Sequence, residues 1–432
     1  MSPEIAGITG LLLLLILLLA GMPIGFALGL VGISGLSILL SPEAAVIKSG
    51  VIAFQTIMNY ELGVLPMFLL MANITFATGA SREFFDAAAR FIGHRRGGLA
   101  IAAVGGCAGF GAVSGSSLAT AATMGLVAIP EMRKHRYALP LITGSVAAGG
   151  TLGSLIPPSG MLIIFGILTE QSIGKLFIAG IIPGISQAFF YVVAIILVCW
   201  LKPGLGPASL PSTWFQKWRA LRNSFDMILL IIFVIGGLLL GWFTPTESGA
   251  VGAAGAVVIG LVHKKLSFKS LQESLLQTLK TAGVLYAIII GALIFSTFMA
   301  VSRIPTELSQ FLISSNTSQL GIIISYLIVL FILGTFLDGI AILTLTVPIF
   351  YPIILEMGIN PIWYAILSIR ALEIALITPP LGMNVYVIKS LVPDIPLSTI
   401  FKGVVPFLMA DILHLMILVA IPAMSTILPE FM

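Results

Sequence analysis

Long apolar stretches, cut at intervals by a proline, a glycine or a short polar cluster, occupy nearly the whole chain. The cuts recur at one displacement of 222 residues. Pro23 returns as Pro245, Pro130 as Pro352, Pro157-Pro158 as Pro379-Pro380, and Gly160-Met161 as Gly382-Met383. The local copies read GSLIPPSGM and ALITPPLGM. In each, the double proline begins 41 residues after an interruption of an apolar stretch, Ser116 in one copy and Asp338 in the other. So many positions sharing one offset imply a duplicated chain. Apolar runs such as 5–20 and 227–240 approach the ~20 residues that cross a bilayer as a helix. The pattern therefore predicts an all-α polytopic membrane protein. Paired, interrupted hydrophobic segments at matching places in two halves are also the best sequence pointer to a transporter's substrate site.

Charge orients these segments. Lys and Arg cluster at 82–96, 133–136, 202–222, 264–280 and 389–402, and cytoplasmic loops are enriched in both. Placing all five clusters inside accounts for 17 of the 21 basic residues; Lys48, Lys175 and Arg303 fall outside and Arg370 within the membrane. Residues 97–130 then start and end at cytoplasmic clusters yet are apolar throughout. Thirty-four residues are too few for two full crossings, so the segment reads as a re-entrant hairpin with Ser114–Ser117 at its tip. Backbone at that depth is tolerated only when buried in protein or lining a wet cavity.

The chain path follows. From an outside N-terminus, residues 5–21, 24–41 and 50–80 cross in turn, hairpin 97–130 dips from inside, and 138–170 (broken at Pro157-Pro158) and 176–200 complete the half. Residues 226–243, 248–262 and 281–300 cross next. Hairpin 319–353 enters from outside, and 362–388 (broken at Pro379-Pro380) and 403–428 finish. Each half makes five crossings, an odd number, so the two repeats are inverted relative to each other. The predicted units are 1–203, an interfacial cytoplasmic linker at 204–222, and 223–432. Residues 266–279 read as an amphipathic surface helix.

Composition agrees and narrows the classes. Of 432 residues 58% are hydrophobic and 9% charged, against roughly 25% charged in soluble domains. Residues 5–20 lack the basic flank and cleavage pattern of a signal peptide. The net charge of +4 is explained by membrane orientation and does not point to nucleic acid. Cys107 and Cys199 sit in apolar runs without motif spacing, so neither a disulfide framework nor a metal site is indicated. No nucleophile–base pattern or phosphate loop is visible, which speaks against an enzyme and against ATP-driven transport by this chain alone.

Three spots carry candidate chemistry. The first joins Ser114–Ser117 to Gly149–Ser154 and Pro157–Ser159. A double proline frees carbonyls in mid-membrane. Hydroxyl and carbonyl oxygens suit Na⁺, and helix N-termini suit an anionic substrate group. The plain alternative is close helix packing by small residues; the repeated context favours a site. The second spot joins Gly334, Thr335 and Asp338 to Thr378, Pro379, Pro380, Gly382 and Asn384, with Asp338 as an intramembrane acid. The third is Arg370 with Glu373, three residues apart on one helix face. They form either a structural ion pair or, through Arg370, a grip on a substrate carboxylate. His94, His135 and His263 fall in basic loops. Asp411 and His414, close enough to pair, receive no role.

At these residues the chain resembles the large membrane subunit of the TRAP (tripartite ATP-independent periplasmic) transporters. The resemblance rests on GMPIGFALGLVG (21–32), GHRRGGLA (93–100), SGSSLATAATMG (114–125), GGTLGSLIPPSGM (149–161), FTPTESGAVGA (243–253), FLDGIAILTLTVPIFYPI (336–353) and ITPPLGMNVYV (377–387), and covers nearly the whole chain. It implies an elevator mechanism, in which a scaffold stays fixed and a transport domain holding both hairpins and both broken helices moves. It implies Na⁺ coupling, a small four-helix membrane subunit as a separate chain, and a periplasmic substrate-binding protein. The substrate class it implies is an organic acid, such as a C4-dicarboxylate, keto acid, sugar acid or sialic acid. It implies a bacterial or archaeal cytoplasmic (inner) membrane as the location. Mapped here, one Na⁺ site falls at Ser114, Ser116, Gly150, Gly153 and Pro157, and a second at Gly334, Asp338, Thr378, Gly382 and Met383. Ser117, Thr120, Ser159, Thr335, Arg370, Pro380 and Asn384 are assigned to the substrate. The sequence departs from the family pattern before the second double proline, where Ala375 stands in place of a glycine and Arg370 lies nearby. The competing reading is a stand-alone ion-coupled carboxylate transporter of the same superfamily that needs no binding protein.

Overall fold

The structure is a computed structural model that describes residues 2–315 and 317–431. Among these residues the regular structure is entirely helical. The first copy runs α1 (Pro3–Leu19), α2 (Ile24–Leu39), α3 (Pro42–Met58), α4 (Val64–Ala77), α5 (Ala80–Ile92), α6 (Gly98–Ser114), α7 (Ser117–Lys134), α8 (Leu139–Gly150), α9 (Gly160–Thr169) and α10 (Ile173–Leu201). The second runs α11 (Trp214–Leu239), α12 (Pro245–Val262), α13 (Phe268–Val301), α14 (Ile304–Ser314), α15 (Gln319–Gly334), α16 (Gly339–Glu356), α17 (Pro361–Ala375), α18 (Met383–Leu391) and α19 (Leu397–Ala420), with a short α20 (Ala423–Thr426). The 222-residue displacement carries α7 onto α16 along the sequence from first residue to last. Among the described residues, seven helical spans are long and apolar enough to cross a membrane.

The boundaries follow local chemistry. Ser41 caps α3, Thr244 and Glu247 form a capping box at α12, and Asn360 caps α17, each satisfying amide donors that a helix start leaves free. Four boundaries differ from the sequence expectation. Residues 50–80 are not one crossing: α3 stops at Met58, Asn59 caps a 3₁₀ turn, and α4 begins at Val64. Pro66 favours the break, because its missing N–H is tolerated in the first turn of α4 and would cost a hydrogen bond inside a continuous helix. The corresponding stretch of α13 contains no proline, so residues 266–279 are not a separate surface helix. They form the start of one 34-residue helix, about 51 Å long at 1.5 Å per residue. The linker is also shorter than 204–222, since Thr213 caps α11 and the helix begins at Trp214. Finally, α5 and α14 occupy stretches for which the pattern gave no helix. In α5, Phe84 and Phe85 turn inward while most of its charged residues lie outward.

Two bundles result. An outer one packs α1 and α2 against α13, and α4 against α12 and α13. Its core includes Leu14, Leu28, Phe295 and Phe298. An inner one holds hairpins α6–α7 and α15–α16, the broken helices α8–α9 and α17–α18, and α10 and α19. Exposed Leu, Ile, Phe and Met side chains ring the outside, including Leu12, Ile16, Phe26, Phe189, Ile328 and Met416. Such a surface suits lipid rather than water.

With little hydrophobic drive between helices in a bilayer, close packing of small residues holds crossings together. The α2–α13 crossing shows this: a Cβ at Gly25 would lie 2.7 Å from the Ala287 carbonyl oxygen, and one at Gly291 would collide with the Gly25 carbonyl. Gly283 on the same helix faces open space. Gly291→Ala is therefore expected to destabilise the purified protein by about 1–3 kcal/mol, as overpacking does. Gly283→Ala is expected to leave stability unchanged or raise it by up to ~1 kcal/mol, the helix-propensity gain. Thermal unfolding in detergent measures both, and equal effects would refute the crossing.

Candidate functional site

The two hairpin tips and the two helix breaks meet in the inner bundle. In the first copy α6 ends at Ser114, and Gly115 turns the chain with φ +61°. Ser116 then caps α7, its Oγ accepting from Ala119 N at 3.4 Å. The turn is pinned to the break in α8–α9, because the Gly160 amide donates to the Gly115 carbonyl at 3.0 Å. A Cβ at Gly115 would lie 2.6 Å from the Pro158 carbonyl oxygen, so only glycine fits. After α8 the chain makes a 3₁₀ turn at Thr151–Ser154, passes the cis Pro157–Pro158 bond, and restarts at Ser159, which caps α9. Gly153 packs on the Ser116 carbonyl, where a Cβ would sit 2.8 Å away.

The second copy is built alike. Asp338 caps α16, one carboxylate oxygen accepting from Ile340 N at 2.9 Å and Ala341 N at 3.0 Å. Residues 376–382 interrupt α17–α18 and contain the cis Pro379–Pro380 bond. Asn384 N donates across the break to the Leu376 carbonyl at 3.0 Å. Gly334 packs directly on the Ala375 methyl.

A cavity of about 380 Å³ lies among these elements, in the usual range for a small-molecule site, ~300–1,000 Å³. Its inner wall carries Ser114–Ser117, Ser154, Gly160, Asp338, Gly339 and Met383. Its outer wall is Leu65, Phe68 and Leu69 of α4 with Thr281 and Leu285 of α13. The starts of α7, α9, α16 and α18 all contribute lining residues. Four helix N-termini thus border one cavity, and each carries about half a positive charge.

The structure sorts the sequence-derived residues. Ser114, Ser116, Gly150 and Gly153 gather around the first tip. Ser114 Oγ lies 2.7 Å from Thr120 Oγ1, and a Cβ at Gly150 would sit 3.1 Å from the Ser117 carbonyl oxygen. Pro157 lies in the adjacent break. Gly334 and Asp338 flank the second tip. Thr378, Gly382 and Met383 lie in or beside the second break, and Asp338 and Met383 share the cavity. Their donors are hydroxyl, carbonyl and carboxylate oxygens, the set that hard cations prefer.

Of the substrate set, only Ser117 lines the cavity. Thr120, Ser159 and Asn384 are buried in internal hydrogen bonds, Thr335 bonds back to the Ile332 carbonyl, and Pro380 is exposed.

Arg370 departs most from expectation. It neither lines the cavity nor pairs with Glu373. It is fully buried and pairs with Asp411, with its Nε donating to His414 Nδ1 at 3.1 Å. Asp411 also accepts from Tyr191 at 3.0 Å, so the network ties α17 to α19 and α10. Glu373 instead accepts from Ser117 Oγ. Asp411 and His414 are thus structural partners that sequence reasoning left without a role. Their signal was two ionisable residues in an apolar segment with one buried arginine to satisfy.

Broken helices and hairpin tips from two copies, meeting at a cavity between apolar bundles, define an integral-membrane transport protein. The chain belongs to the family described as "Tripartite ATP-independent periplasmic transporter, DctM component", which it matches over residues 11–424. It is 37% identical over 404 residues to the C4-dicarboxylate TRAP transporter large permease protein DctM of Pseudomonas aeruginosa, covering 93% of this chain and 94% of that protein. It is 32% identical over 416 residues to the sialic acid TRAP transporter large permease protein SiaM of Vibrio cholerae, covering 96% of each. The isethionate TRAP transporter permease protein DctMQ of Oleidesulfovibrio alaskensis is 29% identical, and the match covers 94% of this chain but 64% of that longer protein. In fold, the chain resembles the crystal structure of the Alcanivorax borkumensis YdaH transporter, with a TM-score of 0.54 at 14% identity over 85% of this chain and 87% of that one. The protein is a multi-pass membrane permease subunit, not an enzyme.

Removing one partner of a buried ion pair strands the other, at about 3–5 kcal/mol. Arg370→Met is therefore expected to lower stability by about that amount. Adding Asp411→Leu is expected to restore most of it, read by thermal unfolding in detergent. Full stability of Arg370→Met would contradict the pairing.

Proposed function

We propose that this chain is the translocation subunit of a Na⁺-coupled, binding-protein-dependent carrier for a small organic anion in the inner membrane. The observation that carries the reading is the convergence of four helix N-termini on one cavity. Such a field selects negative charge, and no lysine or arginine lines the space to do so instead. The Ser116 hydroxyl, which lines the cavity and accepts from the Ala119 amide, keeps its own proton to donate to a carboxylate.

The oxygens at the two tips supply the complementary task. Ser114, Ser116, Gly150, Gly153 and Pro157 would hold one Na⁺, and Gly334, Asp338, Thr378, Gly382 and Met383 a second. Bound Na⁺ supplies positive charge that offsets Asp338 and the anionic cargo. Asp338 has one oxygen committed to its helix start and a second without a hydrogen bond to the protein, which suits an ion ligand.

The cavity lies between the bundles, walled by α4 and α13 on one side and by the tips on the other. This arrangement supports an elevator, with the inner bundle moving against the outer one. The five-by-five crossing pattern supports inverted repeats with a periplasmic N-terminus. The relatives' names support a C4-dicarboxylate, a sialic acid or a similar organic acid as cargo. They also support assembly with a periplasmic binding protein, and the longer DctMQ relative supports a small membrane subunit as partner.

The test is uptake into proteoliposomes holding this chain, its small subunit and its binding protein. Ser116→Ala, Thr378→Ala and Asp338→Asn are each expected to raise the Na⁺ concentration for half-maximal uptake by about tenfold, equivalent to ~1.4 kcal/mol of binding. An unchanged Na⁺ response in all three would remove the ion assignment. Uptake by this chain without any binding protein would replace the tripartite reading with a stand-alone carrier.

A further inference from the structure

Among the described residues, the fully buried side chains of charged type are Arg370, Glu373, Asp411 and His414. Their hydrogen bonds determine how charge is shared. An arginine Nε is always a donor, so His414 Nδ1, 3.1 Å away, is an acceptor. The imidazole is therefore neutral, and its Nε2–H donates to Ser186 Oγ at 2.8 Å. Asp411 takes the Arg370 Nη2 donor on one oxygen and the Tyr191 hydroxyl on the other. Arg370 is the one cation beside two carboxylates, and its ion pair is with Asp411, so the cluster carries an excess negative charge that falls on Glu373.

Glu373 has one hydrogen-bond partner, Ser117 Oγ at Oε2, and its Oε1 has none. The charged groups that face it are Arg370 on its own helix, which is ion-paired with Asp411 through Nη2 and keeps Nη1 unbonded, and Asp411 itself on α19. Tyr191 on α10 points at Asp411. The start of α7 and the 3₁₀ turn present only serine and threonine hydroxyls, and α9 and α20 carry no titratable group. Tyr326 of α15 and Tyr351 of α16 pack beside Tyr364, nine residues before Glu373 on α17. Asp338 turns to the start of α16. A lone, fully desolvated carboxylate is strongly disfavoured as an ion and takes up a cation to neutralise.

The supply route is present. Ser117 Oγ lies 2.7 Å from Ser154 Oγ, and both serines line the cavity. The Ser117 amide donates to Ser154 Oγ at 3.2 Å, so the Ser154 hydroxyl proton is available to Ser117 Oγ, whose own proton goes to Glu373. Each link has one donor and one acceptor, and rotating the two hydroxyls reverses the chain.

We propose that Glu373 is a proton-binding site served by the cavity. Its carboxylate gains one proton through Ser154 and Ser117, becomes a neutral acid, and loses the proton by the same path, so that a proton crosses with the organic anion alongside Na⁺. The inference rests on the reading of this cavity as the transport site.

Two measurements test it. Infrared spectra of the purified wild-type protein at neutral pH are expected to show a protonated carboxylic-acid band that Glu373→Gln removes. This readout needs no transport. In proteoliposomes of the complete transporter with a fixed Na⁺ gradient, an inward proton gradient is expected to speed wild-type uptake several-fold, and an entrapped pH dye to report substrate-dependent acidification. Glu373→Gln is expected to keep its Na⁺ response and lose the effect of the proton gradient. The absence of the band, of wild-type acidification, or of any difference between wild type and Glu373→Gln in the proton gradient would overturn the proposal. The wild-type dye measurement decides the matter even if the variant fails to fold. Loss of Na⁺ dependence alone would count against the transport reading and leave the infrared band standing.

Discussion

A helix that stops inside a bilayer leaves donors and acceptors that lipid cannot satisfy. Most of what is distinctive here follows from meeting that demand four times in one place. The first break is satisfied by the first tip, through the Gly160 amide on the Gly115 carbonyl and the Ser117 amide on Ser154 Oγ. The second break closes on itself, through the Asn384 amide on the Leu376 carbonyl, while Asp338 satisfies the neighbouring tip. These bonds require backbone contact, which is why Gly115 and Gly153 stand where a Cβ would strike a carbonyl. The same geometry that removes the backbone cost leaves helix ends, with their partial charges, aimed at a cavity.

The buried charges obey the same rule in a different form. Arg370 and Asp411 pair with each other, and Tyr191 and His414 take up part of the remaining hydrogen-bonding capacity. The network joins the broken helix of the second copy to α10 of the first. It therefore fixes the two copies against each other behind the cavity, while Glu373, one helical turn on from Arg370, connects that region to the cavity wall through Ser117.

How much of this was legible depended on whether the determining feature was local. The double prolines, the serine and aspartate caps and the apolar runs act within a few residues, and the hairpins and breaks appear where they indicate. The break before α4 was also local, since Pro66 favours a helix start there, but apolar residues on both sides mask it in a hydrophobicity pattern. The unbroken length of α13 follows from the lack of any proline between 268 and 301. The pairing of Arg370 was not legible from its spacing. Its spacing from Glu373 suggested a pair, but the partner it takes lies 41 residues away on another helix, and no periodicity encodes that choice. The cavity's outer wall was missed for the same reason: Leu65, Phe68 and Leu285 look like ordinary apolar residues until the two bundles are brought together.

The contrast between α3–α4 and α13 carries a mechanical consequence. These are equivalent stretches of the two copies, and both face the cavity, yet one is a jointed pair and the other a single rod. The cavity wall built by α4 can therefore flex at the joint between Asn59 and Gly63, whereas the wall built by α13 moves only as a unit.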